Sequence, residues 1–240
     1  SASKGIVPTN GDGFGLGWYG TQNLPGIFRD TLPAWNDANL QSLSEQIRSE
    51  LFFAHVRAST GTSTSRENCH PFRWERFLFM HNGQIGGYHS LRRELERMIP
   101  DAVYNMRGGT TDSEAFFLLA CGNGLEVDIQ ESLKKTISQV LELMAKFEID
   151  EPFRMTAAIS EGDRIYALRY SSDNQSPTLY YGSGGTIHVE DGGVVFSKGN
   201  SVALILSEPL DGQLEDWVEI PEGHFLEADG GIVSVKPFHI

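Results

Sequence analysis

Four short segments carry residue types that can do chemistry together. They are Asn10-Gly-Asp-Gly-Phe-Gly-Leu-Gly-Trp-Tyr19, Ala54-His-Val-Arg-Ala-Ser-Thr60, Phe79-Met-His-Asn-Gly83 and Gly109-Thr-Thr-Asp-Ser-Glu114. Arg57 presents a planar fork that can grip a carboxylate through two parallel hydrogen bonds. The Asp112 carboxylate can meet an ammonium group. The side-chain amide of Asn82, beside the uncrowded backbone N–H of Gly83, offers two donors to a developing oxyanion. Together these groups could hold an α-amino acid and stabilise a tetrahedral intermediate at its side-chain carbonyl. What they lack is a nucleophile.

Each part also has a plainer reading. The glycine-rich stretch lacks the helix and the acidic residue of a dinucleotide-binding loop, and it reads as a strand under close packing. Arg57 ends an apolar strand, where an arginine is usually paired or solvated. Asn82-Gly83 after a strand is a hairpin-turn signal. Asp112 in the first turn of a helix is favoured by the helix dipole alone. Cys69 next to His70 could supply a thiolate, but neighbouring side chains of an extended segment point to opposite faces, although Pro71 constrains the turn. Both Cys69 and Cys121 therefore read as small buried hydrophobes. His55, His70, His81 and Cys69 match no standard zinc spacing, so neither a metal nor another cofactor is expected.

The elements that must position these groups follow from periodicity and capping. After a turn at Asn10–Gly13, Phe14–Tyr19 reads as a strand. Asn36 or Asp37 caps a helix with Leu40, Leu43 and Ile47 at helical spacing. Leu51–Arg57 and Phe77–His81 read as buried strands, separated by the polar loop Thr60–Asn68 and Pro71. Leu91, Leu95 and Met98 mark an amphipathic helix. Thr111 with Glu114 has the form of a capping box ahead of the apolar run from Ala115. Asp128 with Glu131 starts a longer helix with a core face of Ile129, Leu133, Ile137, Val140, Leu141, Met144 and Phe147. Glu161-Gly162 reads as the turn of a hairpin between Phe153–Ser160 and Asp163–Tyr170. Short strands follow at Thr178–Tyr181, Gly193–Ser197, Val202–Leu206 and Ile232–Val235. With no repeat and no low-complexity linker, residues 1–240 read as one domain, an α+β fold with helices packed on sheet faces.

Composition narrows the partners. The chain has 240 residues, 40% hydrophobic and 21% charged, with a net charge of −13, a balance that suits a globular protein and excludes a disordered one. That excess of acidic residues opposes nucleic acid and anionic membrane surfaces. The apolar run Ala115–Cys121 is far shorter than the ~20 residues of a membrane span. No signal-peptide pattern opens the chain. Two cysteines in this length argue for a reducing, cytoplasmic setting.

The ordered set NGDGFGLGWY, AHVRAST, NCHPF, FMHNG and GTTDSE resembles the class-II glutamine amidotransferases of the N-terminal-nucleophile hydrolase superfamily. It is most similar to their stand-alone glutaminase-like branch, which has members in glutathione degradation and ergothioneine synthesis. Leu206-Ser-Glu-Pro-Leu210 and Trp217-Val-Glu-Ile-Pro221 extend the resemblance over nearly the whole chain. The resemblance implies a four-layer αββα sandwich of two antiparallel sheets. It also implies a cysteine nucleophile at the mature N-terminus, activated by its own α-amino group. It puts Arg57 and Thr60 at the substrate carboxylate, Asn82 and Gly83 in the oxyanion hole, and Asp112 on the substrate ammonium. The role of Thr60 comes from the resemblance alone.

The sequence departs from the family in one place: the N-terminal cysteine and the strand that carries it are not among these residues. The opening Ser1-Ala2-Ser3-Lys4, without a methionine, reads as a chain whose first segment is missing. The resemblance implies a small γ-glutamyl substrate. Because the amidohydrolase region takes up almost the whole length, either a partner subunit accepts the ammonia or the reaction is plain hydrolysis of a γ-glutamyl amide. The alternative is a non-catalytic γ-glutamyl-binding or partner-binding subunit, and a third reading is a hydrolase using Cys69. Loops such as Thr60–Asn68 and Thr21–Trp35 would set specificity.

Overall fold

A computed structural model of the chain describes residues 11–58, 63–190, 193–210 and 216–240. In chain order the elements are β1 (Phe14–Trp18), β2 (Gly26–Asp30), α1 (Ala38–Gln46), β3 (Phe52–Val56), β4 (Phe72–Trp74), β5 (Phe77–Gln84), α2 (Tyr88–Arg97), α3 (Asp101–Tyr104), α4 (Asp112–Gly122) and α5 (Ile129–Lys146). Then come β6 (Arg154–Ser160), β7 (Arg164–Ser171), β8 (Tyr180–Glu190), β9 (Gly193–Leu206), β10 (Val218–Glu219), β11 (His224–Asp229) and β12 (Ile232–Pro237). Among the described residues no helix is long and apolar enough to cross a membrane.

The centre is a six-stranded antiparallel sheet in the order β12-β11-β7-β6-β5-β4. Strand side chains alternate between faces, and both faces of this sheet are apolar. On one face Phe77, Phe79, Met155, Ala157, Ile159, Leu168 and Phe225 share a core with buried residues of α2, α4 and α5. Helix α4 is apolar almost all round, buried continuously from Ser113 to Cys121, as a helix enclosed on every side must be. On α5 the inward stripe is Ile129, Leu133, Ile137, Val140, Leu143 and Met144. This differs from the sequence expectation by the inclusion of Leu143, with Leu141 and Phe147 only partly buried.

The opposite face carries Leu78 and Ala158 under one small sheet, and Ala167, Leu226 and Ala228 under another. The first has the order β2-β1-β3 and the second β10-β8-β9. The α+β architecture of layered antiparallel sheets is therefore present, with the second sheet layer divided into two three-stranded halves. Helix α1, capped by Asp37 through the Leu40 N–H at 2.8 Å, has no buried residue.

The hairpin at Glu161-Gly162 forms as expected, joining β6 and β7. Three differences have local causes. The segment Thr21–Trp35 holds a strand, β2, whose register with β1 runs from Phe14↔Asp30 to Trp18↔Gly26. Gly193–Ser197 and Val202–Leu206 are parts of one strand, because both pair with β8 on either side of a register irregularity between Ser183 and Gly185. Strand β11 escapes a period-2 reading because Phe225 and Leu226 are both buried, one in each core, and a strand covered on both faces does not alternate.

Candidate active site

The chemistry-bearing residues converge on a cavity of about 990 Å³ whose lining includes Arg57, Asn82, Gly83 and Asp112. Its floor is the β5–β6 pair. One wall is the end of β3, and the facing wall is the end of β9 with Ser207, Glu208 and Leu210. Thr60 lies outside the described residues, as do Asn10 and the opening Ser1–Lys4.

Asn82-Gly83 is not a hairpin turn. Both residues lie within β5, where Asn82 pairs with Thr156 and Gly83 with Met155. Alternation aims His81 at the helical layer and Asn82 at the cavity. Asn82 is exposed there, and its side chain has no hydrogen-bond partner among the described residues. Gly83 has φ of 146°, and a Cβ at this position would sit 2.0 Å from the Arg154 carbonyl oxygen and 2.8 Å from His81 Nε2. Only glycine fits this backbone.

His81 does for the helix side what Asn82 does for the cavity side. Its Nδ1 lies 2.8 Å from Ser113 Oγ, which ties β5 to the first turn of α4. Burial pushes its pKa down, against the pull of the nearby Asp112 charge. Asp112 opens α4 with both carboxylate oxygens engaged: Oδ2 accepts from the Ile85 N–H at 2.8 Å and Oδ1 from the Ser113 N–H at 2.8 Å. Thr111 caps the helix through the Glu114 N–H at 3.2 Å. Glu114 does not complete the reciprocal box. It accepts instead from the Gly108 and Gly109 N–H groups at 2.9 and 2.8 Å and from Arg107 at 3.1 Å, so it shapes the loop that delivers Asp112.

Arg57 follows directly after β3 and is 5% exposed. Its N–H donates to the Gly13 carbonyl at 2.8 Å, and its own carbonyl accepts from the Asp12 N–H at 3.2 Å. The guanidinium reaches the carbonyls of Asp12 and Ser63, each at 3.4 Å.

Two histidines accompany Arg57 at the cavity; in the sequence both read as possible metal ligands and His70 also as a neighbour of Cys69. The His55 and His70 rings lie 4.4 Å apart between centroids, tilted by 40°, and both line the cavity. Burial holds the His55 pKa at about 4, helped by the charges of His81 and Arg57. Burial drives His70 well below its ordinary value. Among the described residues no group of three or more His, Cys, Asp or Glu is placed to hold a metal ion. Cys69 is wholly buried, with Sγ against the carbonyls of Asp30 and Ser65 at 3.5 and 3.4 Å. Burial raises its pKa, which is the reverse of what a nucleophilic thiolate requires. The far wall, Ile205 to Leu210, has no catalytic side-chain pattern, and only its resemblance motif marks it in the sequence.

The fold is an antiparallel α+β sandwich, and Arg57, Asn82, Gly83 and Asp112 all line one cavity. The chain belongs to the class-II glutamine amidotransferases, whose family model matches residues 2–238. It is 31% identical to the probable glutamine amidotransferase DUG3 of Saccharomyces cerevisiae, over 96% of this chain and 72% of that one. It is 25% identical to the γ-glutamyl-hercynylcysteine sulfoxide hydrolase of Mycolicibacterium smegmatis, over 95% of this chain and 82% of the relative. Among solved structures it is similar to a glutamine aminotransferase class-II domain protein from Silicibacter pomeroyi. The TM-score is 0.76 at 36% identity, covering 95% of this chain and 92% of that one.

Proposed function

We propose that this protein hydrolyses the side-chain amide of glutamine or a related γ-glutamyl compound, with residues 1–240 acting as one amidohydrolase domain. The observation that carries this reading is the convergence of Arg57, Asn82, Gly83 and Asp112 on one cavity. In this reading Arg57, joined by Thr60, binds the substrate α-carboxylate and Asp112 its α-ammonium. Asn82 Nδ2–H and the Gly83 N–H donate to the oxyanion. The nucleophile is an N-terminal cysteine outside these 240 residues, with its own α-amine as base. Its sulfur attacks the amide carbon, and the C–N bond breaks as the leaving amine takes the proton. Water then releases glutamate from the thioester and restores the thiol.

The layering supports a nucleophile arriving on an extended segment. Among the described residues β3 pairs only with β1, and β9 only with β8. The ends of both strands line the cavity above β5 and β6. A strand seated there would join the two half-sheets and satisfy both edges, which proteins otherwise have to protect. The buried, free thiols of Cys69 and Cys121 suit a reducing, cytoplasmic setting and neither the Cys69 mechanism nor a disulfide scaffold. The name of the mycobacterial relative supports hydrolysis rather than transfer to an ammonia-accepting subunit.

The test uses the full-length native protein, its N-terminus read by intact mass. Release of glutamate from γ-glutamyl amides is expected, and Asn82→Ala should lower kcat by roughly 10²–10³-fold, the usual cost of one oxyanion donor. A loss below about threefold removes Asn82 from that role. Glutamate binding without amide cleavage would leave a non-catalytic γ-glutamyl-binding subunit.

A further inference from the structure

We infer that Asn68 is a positioning residue that joins the two halves of the amino-acid clamp, setting the distance between the carboxylate-binding and ammonium-binding loops. The inference rests on the function proposed above. Asn68 is 1% exposed and lies at the end of a short 3₁₀ turn, 42 residues in sequence from the loop it meets. Its Nδ2 donates to the Ser63 carbonyl at 2.9 Å and to Thr110 Oγ1 at 3.2 Å. Its Oδ1 accepts from the Thr110 N–H at 2.8 Å. The same Ser63 carbonyl receives the Arg57 guanidinium through a long bond of 3.4 Å.

A continuous path therefore runs from Arg57 through Ser63, Asn68 and Thr110 to a point two residues before Asp112. One amide group supplies the donor to the first loop and the acceptor for the second, which a hydrophobe or a carboxylate cannot do. The seat is tight: a Cβ on Gly109 would sit 2.5 Å from Asn68 Oδ1. An α-amino acid carries its carboxylate and ammonium on one carbon, so the two receiving groups must keep a fixed separation. Asn68 is a single side chain that bonds to both of the loops that bear them.

The test is calorimetric binding of L-glutamate, glutarate (no ammonium) and 4-aminobutyrate (no α-carboxylate) to the full chain and two variants. Wild type should prefer L-glutamate over both fragments. Asn68→Asp keeps an acceptor for Thr110 but loses the donor to Ser63, so the preference over 4-aminobutyrate should fall about tenfold, the size of one lost buried hydrogen bond. Thr110→Val changes an exposed residue and removes the hydroxyl's contacts with Asn68 Nδ2 and Oδ1 while keeping the backbone bond. It should cut the preference over glutarate by a few fold, and it decides the matter if Asn68→Asp does not fold. A merely structural role would lower the melting temperature and weaken all three ligands equally. Unchanged preference ratios in both variants overturn the inference while the γ-glutamyl reading stands. A wild type with no preference for L-glutamate overturns both.

Discussion

At the scale of single residues, the cavity works through opposed faces of one strand. His81 and Asn82 are neighbours on β5, yet one anchors α4 through Ser113 and the other faces the cavity. Gly83 follows with a backbone that no other residue adopts without striking Arg154. Arg57 shows why residue type matters beyond charge. Its guanidinium is already held by two carbonyls, and a lysine ammonium at that site is a point charge without the planar fork. Arg57→Lys should therefore raise KM for γ-glutamyl substrates by about tenfold with a smaller change in kcat. Steady-state kinetics on the full-length protein reads this directly, and an unchanged KM removes Arg57 from carboxylate binding.

At the scale of elements, the loop before α4 is built around a buried arginine. Arg107 donates to Glu96 at 2.9 Å, to Glu114 at 3.1 Å and to the Thr111 carbonyl at 2.9 Å. Its side chain is 7% exposed. Glu114 in turn holds the Gly108 and Gly109 N–H groups, so the ion group joins α2, α4 and the Asp112 loop. Removing one member leaves uncompensated buried charge, which typically costs about 3–5 kcal/mol. Arg107→Met should lower stability by that amount in urea unfolding, and an effect below about 1 kcal/mol would show the carboxylates to be well solvated. The Thr111–Glu114 spacing announces a helix start. That Glu114 turns to the preceding loop instead of completing the box is a tertiary outcome, because Arg107 and two free N–H groups compete for it.

At the scale of the whole molecule, three histidines gather where β3, β5 and the segment before β4 meet, His70 and His81 buried and His55 half-buried, and desolvation holds them neutral. His55 has its pKa lowered to about 4, and His70 and His81 shift in the same direction. In the unfolded chain they titrate near 6.5. The unfolded state therefore binds more protons between these values, and stability is present above about pH 6.5 and lost as pH falls toward 4. His55 alone should make the protein about 2–3 kcal/mol less stable at about pH 4.5 than at neutrality. Urea unfolding across this window should show the slope, and His55→Gln should flatten it. An equal slope in the variant would assign the effect elsewhere.

The sequence by itself determined what short-range chemistry dictates. Helix starts at Asp37, Thr111 and Asp128 are legible because a capping side chain answers N–H groups two or three residues away. The α5 core stripe and the β6–β7 hairpin are legible because one period and one turn specify them. Arg57 and Asp112 could be nominated because their side chains suit an amino-acid head group, and Asn82 with Gly83 because an amide beside an uncrowded backbone N–H suits an oxyanion, whatever the fold. Only the tertiary structure decided what depends on partners distant in the chain. Asn82-Gly83 became strand and not turn because β6 pairs through it. Thr21–Trp35 acquired β2 because β1 offered an edge. Asn68, the first residue of the NCHPF motif but one given no role in the sequence, became the link between loops because folding brought Ser63 and Thr110 to its side-chain amide. A hydrogen bond across 42 residues leaves no periodicity in the sequence, and its geometry exists only once the layers have packed.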